Sequence, residues 1–280
     1  MKTVNSLSGG KTSSYLAIHH PSDYNLFSLV CNDDPKCAHK DKKLMQIAND
    51  KLSKYCSQFG EFIGTPEHPS IIKIMLDLEQ MMGSEIIWLR GISFDQAIKK
   101  HSGLVPNQMI RYCTTEMKLN PIFWFWYLYV SDPVKMRVGF RYDEKHRASN
   151  FTTNYRIPIK SNTFGKRRQS WVDFEDWRIP EFPLIEEKVN HFTVSKFWNN
   201  KDIIFPKDSN CQHCFWKPAQ QIRQNAETTP NIINWASKME KENIGTFKKE
   251  MSMDQLKNIG LQLDFLGGQG MYCNSGGCTD

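Results

Sequence analysis

At 280 residues the chain is long enough for one large domain, or for one domain with an appended module. Hydrophobic residues at 40% and charged residues at 24% give an ordinary globular balance, which argues against disorder. The formal net charge of +6 suits anionic partners such as nucleotides, and it permits nucleic acid without demanding it. No apolar run reaches the roughly 18–20 residues of a membrane helix, so no membrane partner is expected. A polar Ser-Gly-Gly loop arrives by residue 8, before any apolar leader segment, so a cytoplasmic setting with reduced thiols is expected. The eight cysteines then point to metal ligation or thiol chemistry rather than to disulfides.

In chain order, Val4–Leu7 reads as a short strand running into a glycine turn, and Thr12–His20 as a helix stopped by Pro21. Asn25–Cys31 is a second apolar strand that ends in the polar run Asn32-Asp33-Asp34. Lys40–Phe59 has helical spacing, through Leu44, Ile47, Ala48, Leu52, Tyr55 and Cys56. Glu61–Ile63 is a candidate third strand and Ile71–Met82 a further helix. Pro121–Val130, the most apolar stretch, reads as a buried aromatic helix, and Met136–Gly139 as a strand ending at Arg141. Strand and helix alternate through the first 140 residues, which predicts an α/β fold with a parallel sheet and crossover helices. Ala148–Gln169 is polar and basic, contains Lys166-Arg167-Arg168, and reads as a loop or mobile insertion. Phe182–Ile185 is strand-like, and a helix follows from Thr193. The remainder is mostly helical and ends in a Gly-rich tail with two cysteines. The expected organisation is a nucleotide-binding α/β domain over 1–200, with the basic insertion at about 148–170, and a helical, cysteine-bearing region over 201–280.

Ser6-Leu-Ser-Gly-Gly-Lys-Thr-Ser-Ser14 lies between the first strand and the first helix. Its two glycines, Gly9 and Gly10, let the backbone turn tightly and bring N–H groups up to an anion. The positive end of the helix dipole points at the same place. Lys11 and the hydroxyls of Ser8, Thr12, Ser13 and Ser14 add donors. This is not a Walker A loop, which needs a glycine where this chain has Asn5. The bland reading is an ordinary turn. Against it stands the position at the first strand–helix junction, where open α/β sheets bind ligands.

Five segments in register carry a resemblance to a family. Ser-Gly-Gly-Lys-Thr-Ser resembles the signature of the PP-loop adenine nucleotide α-hydrolase superfamily, in its phosphoadenylylsulfate (PAPS) reductase branch. Arg111-Tyr-Cys-Thr-Thr-Glu-Met-Lys-Leu-Asn-Pro121 resembles the branch's Arg-x-Cys-Thr-x-x-x-Lys-x-x-Pro block. Val138-Gly-Phe-Arg-Tyr-Asp-Glu-Lys-His-Arg147 resembles its Gly-x-Arg-x-Asp-Glu-x-x-Arg block. Phe182-Pro-Leu-Ile185 with a following Trp-bearing helix resembles its Tyr-Pro-Leu block, and Cys211-Gln-His-Cys214 its late Cys-x-x-Cys.

The resemblance implies a Rossmann-like sheet flanked by helices, with a smaller helical C-terminal part that bears cysteines. It implies that Arg141 and Arg147 hold the anionic end of an adenine nucleotide, with Arg111 and Lys118 secondary and Asn32 near the adenine and ribose. Arginine's planar fork suits phosphate or sulfate, and the competing reading is an ion pair with Asp143 or Glu144. In the family's iron–sulfur members a cysteine of the Arg-x-Cys block joins the late Cys-x-x-Cys around a [4Fe–4S] cluster. Here that implies Cys113, Cys211 and Cys214, with Cys273 or Cys278 as fourth ligand. Zinc is the alternative metal, and free thiols are the reading without any metal.

The reductase's Glu-Cys-Gly-type catalytic motif is absent. Cys278 is its nearest analogue, so Lys11, Arg141 and Cys278 are the expected catalytic residues. Two chemistries remain open. One is sulfonucleotide reduction served by a thiol redox partner. The other is ATP-dependent adenylation, with Mg²⁺, followed by sulfur transfer to DNA or tRNA from a sulfur donor. A further alternative is a non-catalytic nucleotide or nucleic-acid binder with structural zinc. Cys31, Cys37, Cys56 and the eight histidines show no metal or triad spacing.

Overall fold

The strand Thr3–Leu7 (β1) sends side chains into two apolar layers, and the strands Tyr24–Ser28 and Ile86–Leu89 repeat the pattern. Leu7, Phe27, Ile86 and Trp88 face one core, whereas Val4, Leu26, Ile87 and Leu89 face another. A parallel sheet covered by helices on both faces requires this double burial. The computed structural model describes residues 1–163, 166–207 and 210–261, with the side chains of 159–169 left aside. In chain order β1 is followed by helix α1 (Lys11–His19), strand β2 (Tyr24–Ser28), and helices α2 (Lys42–Cys56) and α3 (Ile71–Met82). Strand β3 (Ile86–Leu89), helix α4 (Phe94–Lys100) and a short turn α5 (Tyr112–Thr114) come next. A π-turn over Thr115–Leu119 carries α5 into α6 (Asn120–Tyr129), and strand β4 (Val134–Val138) follows.

The sheet has five parallel strands in the order β3-β2-β1-β4-β7, where β7 is Arg178–Glu181. The chain's direction of travel across the sheet therefore reverses between β1 and β4. Helices α1, α2 and α3 cover one face, and α6 covers the other. Between β4 and β7 lie a short helix α7 (Lys145–Ala148) and an antiparallel hairpin, β5 (Tyr155–Thr163) with β6 (Lys166–Phe174). After β7 come α8 (Pro183–Glu186), α9 (His191–Trp198), α10 (Ala219–Thr228), α11 (Pro230–Glu242) and α12 (Met253–Leu256). The last three pack with Val30, Phe94, Ile98 and Met117, so they sit over the loops that leave β2 and β3. No helix among the described residues is long and apolar enough to cross a membrane.

Several expectations need correction. Glu61–Ile63 is not a strand. Only an isolated bridge, Asn32↔Gly64, forms there, and the third strand is Ile86–Leu89. Residues 148–169 are not a loop, because most of that segment belongs to the β5–β6 hairpin. Tyr155, Ile157 and Phe174 alternate along it and pack on the sheet's second core, which holds the hairpin's base in place. Phe182–Ile185 is the start of a short helix, with Pro183 at a first-turn position where a missing N–H costs nothing. Helix α6 is only half buried: Ile122, Phe123, Phe125 and Trp126 face inward, while Trp124, Tyr127, Leu128 and Tyr129 are exposed.

Candidate functional site

The loop between β1 and α1 is built on glycine. Gly9 has φ +73°, a left-handed conformation, and a Cβ there would lie 1.9 Å from Ile71 Cδ1. Gly10 is the N-cap of α1 and makes no side-chain cap bond, so no capping side chain covers the helix's first N–H groups. The loop is braced from inside. The Ser8 N–H donates to Ser13 Oγ at 3.1 Å, and Ser13 Oγ donates to the Gly10 carbonyl at 3.2 Å. Trp198 of α9 donates its indole N–H to the Lys11 carbonyl at 2.8 Å. The Lys11 ammonium has no hydrogen-bond or ion-pair partner among the described residues.

The segment after β4 closes against this loop. Gly139 lies so near α1 that a Cβ would meet Ser13 Cα at 3.0 Å, so a side chain at this position would push the two loops apart. Arg141 Nη1 donates to Thr12 Oγ1 at 3.0 Å. The rest of its guanidinium pairs with Asp143 at 3.1 Å and Glu144 at 3.2 Å. Arg147 takes the same Glu144 carboxylate at 3.0 Å and lies over the Phe140 ring at 4.3 Å. Both arginines are therefore ion-paired, and Arg141 also reaches the first turn of α1. Burial pushes the Asp143 carboxyl up, but the Arg141 guanidinium outweighs it and holds the group below the usual carboxylate range. Asn32 follows β2, is 1% exposed, and keeps both side-chain amide atoms buried without a hydrogen-bond partner. An unsatisfied buried amide costs roughly 1–3 kcal/mol, so a polar ligand there would relieve a real penalty.

A second group gathers over β2 and β3. Cys113, Cys211 and Cys214 line one pocket with Val30, Phe94 and Lys118. The Cys-x-x-Cys forms a tight turn in which the Cys214 N–H donates to the Cys211 carbonyl at 3.0 Å. Arg111 stacks over Trp216 at 5.6 Å, so it stands with this turn and with Cys113 on α5. Lys118 lies 3.5 Å from the buried Glu67 carboxylate, whose affinity for its proton is raised by burial against the opposing pull of Lys118. Gly91 abuts the π-turn, where a Cβ would lie 2.2 Å from the Glu116 carbonyl oxygen.

Thiol donors suit a soft metal. Among the described residues, however, no group of three or more His, Cys, Asp or Glu side chains is placed to hold an ion. Cys273 and Cys278 lie outside the described residues. Burial pushes the Cys31 thiol up to about 12 and the Cys37 thiol up to about 11, which fits structural cysteines. His213 is buried among Phe94, Trp235 and Phe247, and burial holds its pKa down to about 3, as befits a core imidazole.

Sequence reasoning missed Trp198, Gly139 and Ile71 as parts of the loop's support. Their signal lies in contacts across the fold, which no local spacing encodes. Comparison of the chain with protein-family models, curated proteins and solved structures gave no match. Fold and site together define an α/β protein with a Rossmann-like five-stranded parallel sheet. Its switch point, between β1 and β4, carries a glycine loop and a half-buried arginine pair.

Proposed function

We propose that this chain is an adenine-nucleotide enzyme of the HUP/PP-loop class, in the phosphoadenylylsulfate reductase branch, with its nucleotide at the β1/β4 switch point. One observation carries the reading. Two motifs that lie 129 residues apart in sequence, the Ser8–Ser14 loop and the Arg141 block, meet through the bond from Arg141 to Thr12. In open α/β sheets, ligands bind outside the carboxyl ends of the strands where the strand order reverses.

On this reading the uncapped N–H groups of α1 and the Lys11 ammonium bind phosphate. Arg141 presents its fork to the reacting phosphate or sulfate, and Glu144 and Arg147 fix its orientation. Asn32 meets the adenine or ribose, and Mg²⁺ would accompany ATP. A centre held by Cys113, Cys211 and Cys214, with Cys273 or Cys278 as fourth ligand, would supply electrons in its iron–sulfur form and structural closure in its zinc form. Cys278 is the candidate thiol for sulfonucleotide reduction. The second reading is ATP-dependent adenylation of a nucleic-acid acceptor followed by sulfur transfer, and the basic hairpin between β4 and β7 favours it.

The test is calorimetry with ATP and with phosphoadenylylsulfate. Lys11→Ala should remove a charge-assisted contact of roughly 1.5–3 kcal/mol, or about tenfold or more in affinity. Unchanged affinity in the variant would remove Lys11 and its loop from the site.

A further inference from the structure

Residues 155–174 carry five basic residues and one acidic residue, a net of +4 within a chain of +6. They fold as the β5–β6 hairpin, a two-stranded sheet separate from the five-stranded one, paired from Tyr155↔Phe174 to Thr163↔Lys166. At roughly 3.4 Å per residue, nine paired positions make a ribbon about 30 Å long. Its base packs on the body. Tyr155 stacks on Phe123 at 4.2 Å, and Phe174 meets the same ring edge-on at 5.1 Å. Trp171 stands on the opposite face of the ribbon from these anchors and is 54% exposed. The single acid, Asp173, is paired with Arg156 across a rung at the base. Lys160, Lys166, Arg167 and Arg168 therefore occupy the four outer rungs with no carboxylate among them.

Cations gathered without carboxylates on one short segment favour a polyanion, whose binding releases its own counterions. We propose that this ribbon binds single-stranded nucleic acid, with the outer rungs on the phosphate backbone and Trp171 as a base-stacking platform. Around Phe164 and Gly165, the residues flanking the basic ones are Ser161, Asn162, Thr163, Gln169 and Ser170. These are hydrogen-bonding partners for phosphate and sugar. Stacking on an exposed indole suits unpaired bases of any sequence. The ribbon enters the chain between the Arg141–Arg147 block and β7. The proposal stands without that nucleotide reading, because its test needs no ATP.

The test is fluorescence anisotropy of the full chain against a labelled oligonucleotide of about 20 nucleotides over a salt series. The binding constant should fall with salt with a log–log slope near −3, from about 0.7 per phosphate over four contacts. The triple variant Lys166→Glu, Arg167→Glu, Arg168→Glu should lose at least tenfold in affinity and flatten that slope by about 2, with its melting temperature unchanged. The milder Lys160→Gln should shift affinity in the same direction. Trp171→Ala should weaken binding about fivefold or more at constant salt slope. Affinity unchanged in the charge-reversed or the Trp171 variant overturns the proposal. So does tighter binding to vesicles containing phosphatidylglycerol than to the oligonucleotide.

Discussion

Gly9 and Arg141 set the site from two sides. A methyl at Gly9 meets both a left-handed backbone and the fully buried Ile71, so Gly9→Ala should destabilise the chain by about 1–3 kcal/mol in urea denaturation. An unchanged denaturation midpoint would show that the loop adopts another conformation in solution. Arg141 is held by Asp143, Glu144 and Thr12 together, and this directs its fork rather than only its charge. Arg141→Lys keeps the charge and loses the fork. Turnover of the adenine nucleotide should then drop by tenfold or more, in the range of a lost charge-assisted bond of roughly 1.5–3 kcal/mol. Full turnover in that variant would pass the role to Arg147 or Arg111. At this scale the motif residues were legible in the sequence, because glycine, lysine and arginine types at fixed offsets carry their chemistry with them. Their supports were not. Nothing near Ser13 in sequence indicates that Gly139 must lack a side chain for the two loops to touch.

The elements divide along the same line. Helix α3 has the predicted bounds, since its apolar spacing and its left-handed Gly83 cap are both local signals. Strand β3 was missed because four buried residues without alternation look the same whether they belong to a strand or to a core helix. The hairpin reads as a loop in sequence because its basic residues mask the alternation of Tyr155 and Ile157 with Phe174. The Cys-x-x-Cys turn was legible, as was its meeting with α5, and all three thiols line one pocket. The chemistry of that pocket is checked by anaerobic purification with iron, sulfide and zinc counts. Bound metal should be lost in Cys211→Ser and retained in Cys56→Ser, because Cys56 is buried in the second core away from the pocket. Metal-free protein after anaerobic purification would leave the three cysteines as free thiols.

Across the whole molecule, the two groups share one edge of the sheet. The glycine loop and Arg141 leave β1 and β4, while Val30 and Phe94 of the cysteine pocket leave β2 and β3. Neighbouring strands lie roughly 4.8 Å apart, so the sheet sets these groups side by side on a rigid base. The C-terminal helices pack on the same edge and share a core with residues of the first 120. A ligand at the switch point should therefore be felt at a few loops, not through the whole fold. Hydrogen–deuterium exchange of the full chain with and without saturating ATP reads this directly. Protection is expected in residues 8–14 and 139–147, with the strands of the sheet little changed. Binding of ATP without protection in either segment, or with protection confined to residues 201–261, would contradict a nucleotide site at the β1/β4 switch point.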